Sequence, residues 1–322
     1  MTRKLMLLPS LSAIVILALV LAIMLTTRGG SSGDVILGDI GSTSTTSLIY
    51  SCGQEMGIFA SHGLNVTRVA SSDAYTNLLN LLTGKIDVTF PSPSLIANAY
   101  NEGEKIRVAM ALVEAKDLGV YAREGIDGIE ELKGRKIGVI GRASDAYHIL
   151  RWYMQAVGMD LEKDCQVVEI ANPASLLLAF LTEKVDAATL WAGYAAEALE
   201  NGGRILIAYT DALKATIGHA HYFGLAAITE DSTDGKTMDT FLRAVREVVQ
   251  AIKAEPDEAA RIWAEFSDQP VEKMMKTVAS MGLTAEMNDE VIIDIDAFFH
   301  KAAQEGIIES APPEDLYYTE WT

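Results

Sequence analysis

Gly38-Asp39-Ile40-Gly41-Ser42-Thr43-Ser44-Thr45 is answered by Gly138-Val139-Ile140-Gly141-Arg142-Ala143-Ser144-Asp145. A second pair of segments follows at the same interval. Leu78-Leu79-Asn80-Leu81-Leu82-Thr83-Gly84-Lys85-Ile86-Asp87-Val88 is matched by Leu177-Leu178-Ala179-Phe180-Leu181-Thr182-Glu183-Lys184-Val185-Asp186-Ala187. In each copy an apolar strand breaks at glycine into a polar loop that opens a helix, and a leucine-rich helix ends before another strand. Two such α/β lobes, each offering a strand-to-helix loop, face one another across a cleft. Sheets of this kind bind ligands beyond the carboxyl ends of their strands.

Working outward, Val35–Ile40, Asn65–Ala70, Ile86–Phe90, Arg107–Val113 and Leu118–Ala122 read as strands of the first copy. Helices are expected over Ser47–Phe59, from a Ser71-Ser72-Asp73 cap through Leu82, and over Leu95–Asn101. In the second copy the strands are Lys136–Ile140, Gln166–Ile170 and Val185–Leu190, and the helices Asp145–Val157 and Ala174–Thr182. Tyr222–Ile228 returns the chain to the first lobe, and helices at Thr237–Ala254, Pro256–Phe266, Val271–Met281 and Asn288–Gln304 close it. The expected fold is α/β with mainly parallel sheets, divided as 1–33 (signal peptide or anchor plus linker), 34–122 (lobe I), 123–221 (lobe II) and 222–322 (lobe I again, with the carboxyl-terminal helices).

The 322 residues are 49% hydrophobic and carry a formal charge of −18, so a sizeable core is available and nucleic acid is not an expected partner. From Leu11 to Leu25 every residue but Ser12 is apolar, and Arg3 and Lys4 precede the run. The run reads as an uncleaved membrane anchor with the body outside the cytoplasm, or as a cleaved signal that leaves the body periplasmic or secreted. Gly29-Gly30-Ser31-Ser32-Gly33 is then a tether. Cys52 and Cys165 fall in different lobes, and two unpaired thiols are expected.

The cleft candidates come from the loops. Ser42, Thr43, Ser44 and Thr45 lie at a helix N-terminus, where unpaired N–H groups favour negative charge and hydroxyls add donors and acceptors. Pro91-Ser92-Pro93-Ser94 repeats the arrangement, with Ser92 and Ser94 as ligand contacts or caps. In the second copy Ser144 is a further contact, with Asp145 as the expected helix cap. Arg142 either neutralises an anion or lies at the surface, and Trp191 is either a flat cleft wall or a core tryptophan. His219 and His221 share a strand face but lack a third ligand for a metal; one histidine, His221, is expected to reach the cleft. No metal and no cofactor are expected, and no nucleophile motif appears.

At these residues the chain resembles the nitrate/sulfonate/taurine-type substrate-binding proteins of ABC transporters, a family that includes pyrimidine-precursor binders. The similarity is carried by Gly57-Ile58-Phe59-Ala60-Ser61-His62-Gly63-Leu64-Asn65-Val66, by Leu82-Thr83-Gly84-Lys85-Ile86-Asp87-Val88, and by Leu132-Lys133-Gly134-Arg135-Lys136-Ile137-Gly138-Val139. Val185-Asp186-Ala187-Ala188 with Trp191, and Glu255-Pro256-Asp257-Glu258-Ala259-Ala260, extend it over nearly all of the chain after residue 34. Glu183 departs from the family's glycine, and the lipidated cysteine common in the family is absent. The resemblance implies a two-lobed periplasmic-binding fold of type II with the ligand between the lobes. It also implies a small-molecule ligand (sulfonate, taurine or nitrate, or a pyrimidine-type vitamin precursor) and partners in an ABC permease with its ATPase. An enzyme on the same fold, of the pyrimidine-synthase kind, is disfavoured because that group carries a cysteine-rich motif.

Overall fold

A computed structural model of the chain describes residues 33–230, 232 and 234–318. The apolar Leu11–Leu25 segment lies outside the described residues, and among those described no helix is long and apolar enough to cross a membrane.

The first lobe opens with β1 (Asp34–Asp39), α1 (Thr45–Glu55), α2 (Ile58–Ser61), β2 (Asn65–Ala70), α3 (Ala74–Leu82), α4 (Pro93–Asn101) and β3 (Ile106–Glu114). The second comprises β4 (Gly119–Ala122), β5 (Lys136–Val139), α5 (Asp145–Ala156), α6 (Leu161–Asp164), β6 (Gln166–Glu169), α7 (Pro173–Leu181), β7 (Ala187–Leu190), α8 (Ala192–Glu200), β8 (Arg204–Ala208) and α9 (Tyr209–Ile217). The chain then returns through β9 (Tyr222–Thr229) to α10 (Gly235–Ala254), α11 (Pro256–Ser267), α12 (Val271–Ser280), β10 (Gly282–Glu286) and α13 (Asp289–Gln304).

In lobe I, β1 pairs β2 in parallel and β3 lies antiparallel between β9 and β10. Single bridges from Val88 to Leu37 and from Thr89 to Ala227 join the two groups; the strand expected over Ile86–Phe90 is reduced to these contacts. Lobe II is a five-stranded sheet in the order β6-β5-β7-β4-β8. Its β5 pairs β6 and β7 in parallel, while β4 runs antiparallel to β7 and β8. The mainly parallel expectation is therefore corrected. Strands that carry the chain between lobes enter each sheet against the direction of its strand–helix repeats. For the same reason β4, expected with residues 34–122 in lobe I, hydrogen-bonds within the sheet of lobe II.

The internal repeat holds at atomic detail. Asp87 Oδ2 accepts the N–H of Ile36 at 2.7 Å, and Asp186 Oδ2 accepts that of Lys136 at 2.9 Å. Each aspartate's own N–H donates back to the same residue's carbonyl at 2.8 Å. The carboxylate thus takes up a strand-initial donor in both lobes. The turn before it is left-handed in both, with φ 65° at Gly84 and 60° at Glu183, so the departing glutamate keeps the glycine's conformation. Gly57, at φ 69°, splits the helix expected over Ser47–Phe59 into α1 and α2.

One apolar cluster fills lobe I between its sheet and α1, α10 and α11, with Trp263 fully enclosed. A smaller one packs α7 and α8 on the sheet of lobe II. The largest is continuous between the lobes, because α13 lays Phe298 against Trp152 of α5 with ring centroids 5.8 Å apart. The two lobes therefore share a core along that side. Cys52 and Cys165 are unpaired and buried, and burial pushes their thiols up to about 12 and about 11.

Candidate functional site

Helix α1 begins because Ser44 takes an extended backbone and accepts the N–H of Ser47 on its hydroxyl at 3.0 Å. Ser144 does the same for α5, accepting from Tyr147 at 3.2 Å. Both serine N–H groups reach back to the carbonyl of the glycine two residues past the strand, Gly41 at 3.3 Å and Gly141 at 3.2 Å. The lobe I loop is braced from behind by Trp263, whose Nε1 donates to the carbonyl of Ser42 at 3.0 Å and to Ser47 Oγ at 2.9 Å.

Where the lobes meet there is a cavity of about 60 Å³. Ser44, Thr45 and Thr46 line it from the start of α1, Asn77 from α3, and Thr89, Phe90 and Pro91 from the bridging segment. Phe223 and Gly224 contribute from β9, and Trp191 and Ala192 close it from lobe II. Trp191 is the last residue before α8 and meets Tyr194 edge-to-face at 5.7 Å. The turn that presents it is strained, since Ala192 sits at φ 46°. Its N–H is held at 3.0 Å by Asp117 Oδ2, from the crossing between β3 and β4. Burial pushes the Asp117 carboxyl up to about 6, against the hydrogen bonds from Ala192 and the neighbouring backbone that lower it.

Of the residues expected at the site, the structure brings Ser44, Thr45 and Trp191 into this cavity. Thr43 lies beside the hydroxyl of Tyr194 across the cleft, and Ser42 faces Trp263 through its carbonyl. Ser144 is a cap whose hydroxyl donates to Gly141 O at 2.7 Å. Ser92 and Ser94 meet the second lobe directly: the Ser94 N–H donates to the buried carboxylate of Asp145 at 3.3 Å. Burial raises Asp145, and Ser94 and Ser92 beside it oppose the rise. The two helix starts therefore touch each other there.

Two expectations are corrected. Arg142 does not point into the cavity; its guanidinium is bound to Glu162 and Glu169 on the surface, and those carboxylates hold its pKa up. His221 does not reach the cleft. Its ring is buried against Phe298 at 5.1 Å, both nitrogens lack a partner, and burial pushes it down to about 3. The strand alternation that put it on a common face with His219 fails because β9 begins only at Tyr222. His219 instead meets Asp294 at 2.8 Å.

Residues not anticipated include Asp39, Asn77, Phe90 and Phe223. Asp39 is almost fully buried at the mouth of the loop and paired with Arg68. It had a signal in the sequence: it is the acid in the strand-end position that Val139 fills in the other copy.

The rim carries a second set of contacts between lobes. Lys273 of α12 meets Glu197 of α8 at 2.6 Å, and Lys276 meets Glu200 at 3.0 Å. Both pairs join lobe I to lobe II.

The chain belongs to the NMT1/THI5 like family, whose model matches residues 43–259. Among individual proteins, it is 31% identical over 144 residues to one named as a binding protein in Brucella abortus. That match spans 44% of this chain and 43% of the relative, less than half of either. The fold is that of the periplasmic aliphatic sulphonate binding protein SsuA from Escherichia coli (TM-score 0.73, 16% identity, 91% of this chain and 94% of the other). It is shared by the ligand-binding component of an ABC-type import system from Staphylococcus aureus (0.71, 12%, 89% and 96%). A DszB mutant in complex with biphenyl-2-sulfinic acid has it too (0.65, 12%, 89% and 97%).

Proposed function

We propose that the chain is the extracytoplasmic solute-binding component of an ABC importer: it closes on a small organic solute and presents the closed form to a permease with its ATPase. The observation that carries this reading is the meeting of Trp191 from lobe II with Ser44 and Thr45 from lobe I around one cavity. Ligand contacts divided between lobes make closure and binding one equilibrium, since a solute that touches both faces stabilises the closed population. The Leu11–Leu25 segment would tether the body at the outer face of the membrane. Binding without turnover is the reading for this cavity: the described residues lining it hold no lysine, histidine or cysteine, and their one carboxylate, Asp39, which accepts the Ser44 hydroxyl, is paired with Arg68.

The test is a thermal-shift panel of sulfonates, taurine, nitrate and pyrimidines on the purified protein, with product analysis of any solute that binds. A shift without product is expected. No shift from any solute, or a product, refutes the proposal. Trp191→Ala is expected to reduce affinity at least tenfold by removing the lobe II wall; unchanged affinity removes the ring from the site.

A further inference from the structure

Helices α1, α3, α5 and α7 start after Ser44, Asp73, Ser144 and Asn172, and each of these side chains accepts an N–H from its own first turn. The next helix in each copy is different. Helix α4 starts after Ser92 and α8 after Trp191, matching positions of the repeat, and neither side chain caps its helix. Both helices borrow a carboxylate from elsewhere in the chain. Asp145 accepts the N–H of Ser94 at 3.3 Å, and Asp117 accepts that of Ala192 at 3.0 Å. A capping side chain folds back onto its own helix. With the acceptor borrowed, residue 191 is released from that duty and carries an indole that lines the cavity.

Asp117 is itself firmly placed. It lies between β3 and β4, where the chain first passes from lobe I to lobe II. Its carbonyl takes the Tyr121 hydroxyl at 2.7 Å. On either side of it the carbonyls of Ala115 and Leu118 accept the N–H groups of Thr210 and Tyr209, at 3.1 Å and 2.8 Å. The turn it serves is not self-sufficient. Ala192 stands at φ 46°, a left-handed backbone that a residue with a Cβ keeps only when its surroundings hold it there. Ala192 is also buried, so without the Asp117 oxygen its N–H would have no acceptor and no water.

We infer that Asp117 is a positioning residue of the cleft: from the connection between the lobes it holds the Ala192 turn, and through that turn it fixes the Trp191 indole against the loop of lobe I. The inference rests on the solute-capture reading, in which Trp191 is the lobe II wall, and deepens it. The wall is set by the segment that joins the lobes, so the ring keeps its place relative to that segment and is not free to follow the flexing of its own loop.

The test uses the full chain and acrylamide as a quencher of tryptophan fluorescence. The Trp191 contribution is the difference between each protein and its own Trp191→Phe partner. Asp117→Ala is expected to raise the quenching of that contribution about twofold or more, because the turn loses its anchor and the ring its fixed seat. Asp117→Asn keeps an oxygen for the Ala192 N–H and is expected to match the parent. A role in folding alone would leave the ring unmoved in any variant that still melts cooperatively. The comparison is repeated in the Ala192→Gly chain, where glycine takes the left-handed turn without strain and folding tolerates the loss of Asp117 better. The same rise is expected there. Equal quenching in folded Asp117→Ala and its parent, a rise in Asp117→Asn as large as in Asp117→Ala, or loss of the fold in both backgrounds overturns this inference alone. A solute panel without a binder overturns solute capture and leaves the quenching result standing.

Discussion

Replacing Asp117 by asparagine isolates the group that holds the strained turn behind Trp191. Asp117 is 4% exposed, its Oδ2 accepts the Ala192 N–H, its Oδ1 has no partner, and its pKa rises from 3.8 to about 6. The folded carboxyl therefore holds its proton over a range in which the unfolded one has released it. Stability from this group is fully present below the unfolded value and is lost as pH rises towards the folded one. At about 1.4 kcal/mol per pH unit, the loss over this interval is about 3 kcal/mol. The carboxamide of the variant does not titrate. The difference in unfolding free energy, Asp117→Asn minus the parent chain, should therefore climb by about 3 kcal/mol between about pH 4 and pH 7. Urea denaturation at four pH values measures it, and all other titrating groups cancel in the subtraction. Parallel pH profiles for the two proteins would falsify the account. They would mean that water or relaxation solvates Asp117, and that the Ala192 turn is not held by a desolvated carboxylate.

Other consequences are equally direct. His221→Leu should flatten the acid limb of stability: with the folded pKa depressed to about 3, the parent loses stability as pH falls below 6.5, about 2 kcal/mol by pH 5 in urea titrations. Glu183→Gly should raise stability by about 1 kcal/mol, because it relieves a left-handed backbone and gives up only an exposed pair with Arg123; an unchanged midpoint refutes this. Lys273→Ala should lower solute affinity about two- to fivefold by weakening the closed state, less at high salt; an effect independent of salt argues against the rim pair. Trp263→Phe should cost about 1–3 kcal/mol in melts, since the Ser42 carbonyl and Ser47 hydroxyl lose their indole donor.

The two lobes were legible because the repeat marks bonds that any such lobe must make. Gly41 and Gly141 accept from the serines that open the next helices, and Asp87 and Asp186 take up strand-initial donors. These are local acts, and local sequence encodes them. The mixed direction of the sheets was not legible, because β4 and β9 acquire their partners only after the chain has crossed between lobes. Strand β10 was hidden for a similar reason: Gly282–Glu286 is too short to declare itself between two helices and is fixed by pairing with β3. At the site, the hydroxyl run pointed to the right loop but overstated its freedom. Which hydroxyls serve as caps depends on Asp39, Trp263 and Asp145, which approach from elsewhere in the chain. Arg142 illustrates the limit most simply, since nothing beside it in sequence shows that Glu162 and Glu169 will claim it.

The division of lobe I into two stretches of chain also orders its assembly in time. Residues 119–217 form a continuous unit whose strands and helices find partners within it, whereas β1, β2 and β3 wait for β9 and for the helices that bury Trp263. During synthesis, the strands of the second lobe can pair while the first still exposes Val35, Leu37, Leu48 and Ile49. Contacts of long sequence separation form slowly. The docking of α10 and α11 is therefore the step that covers this apolar sheet.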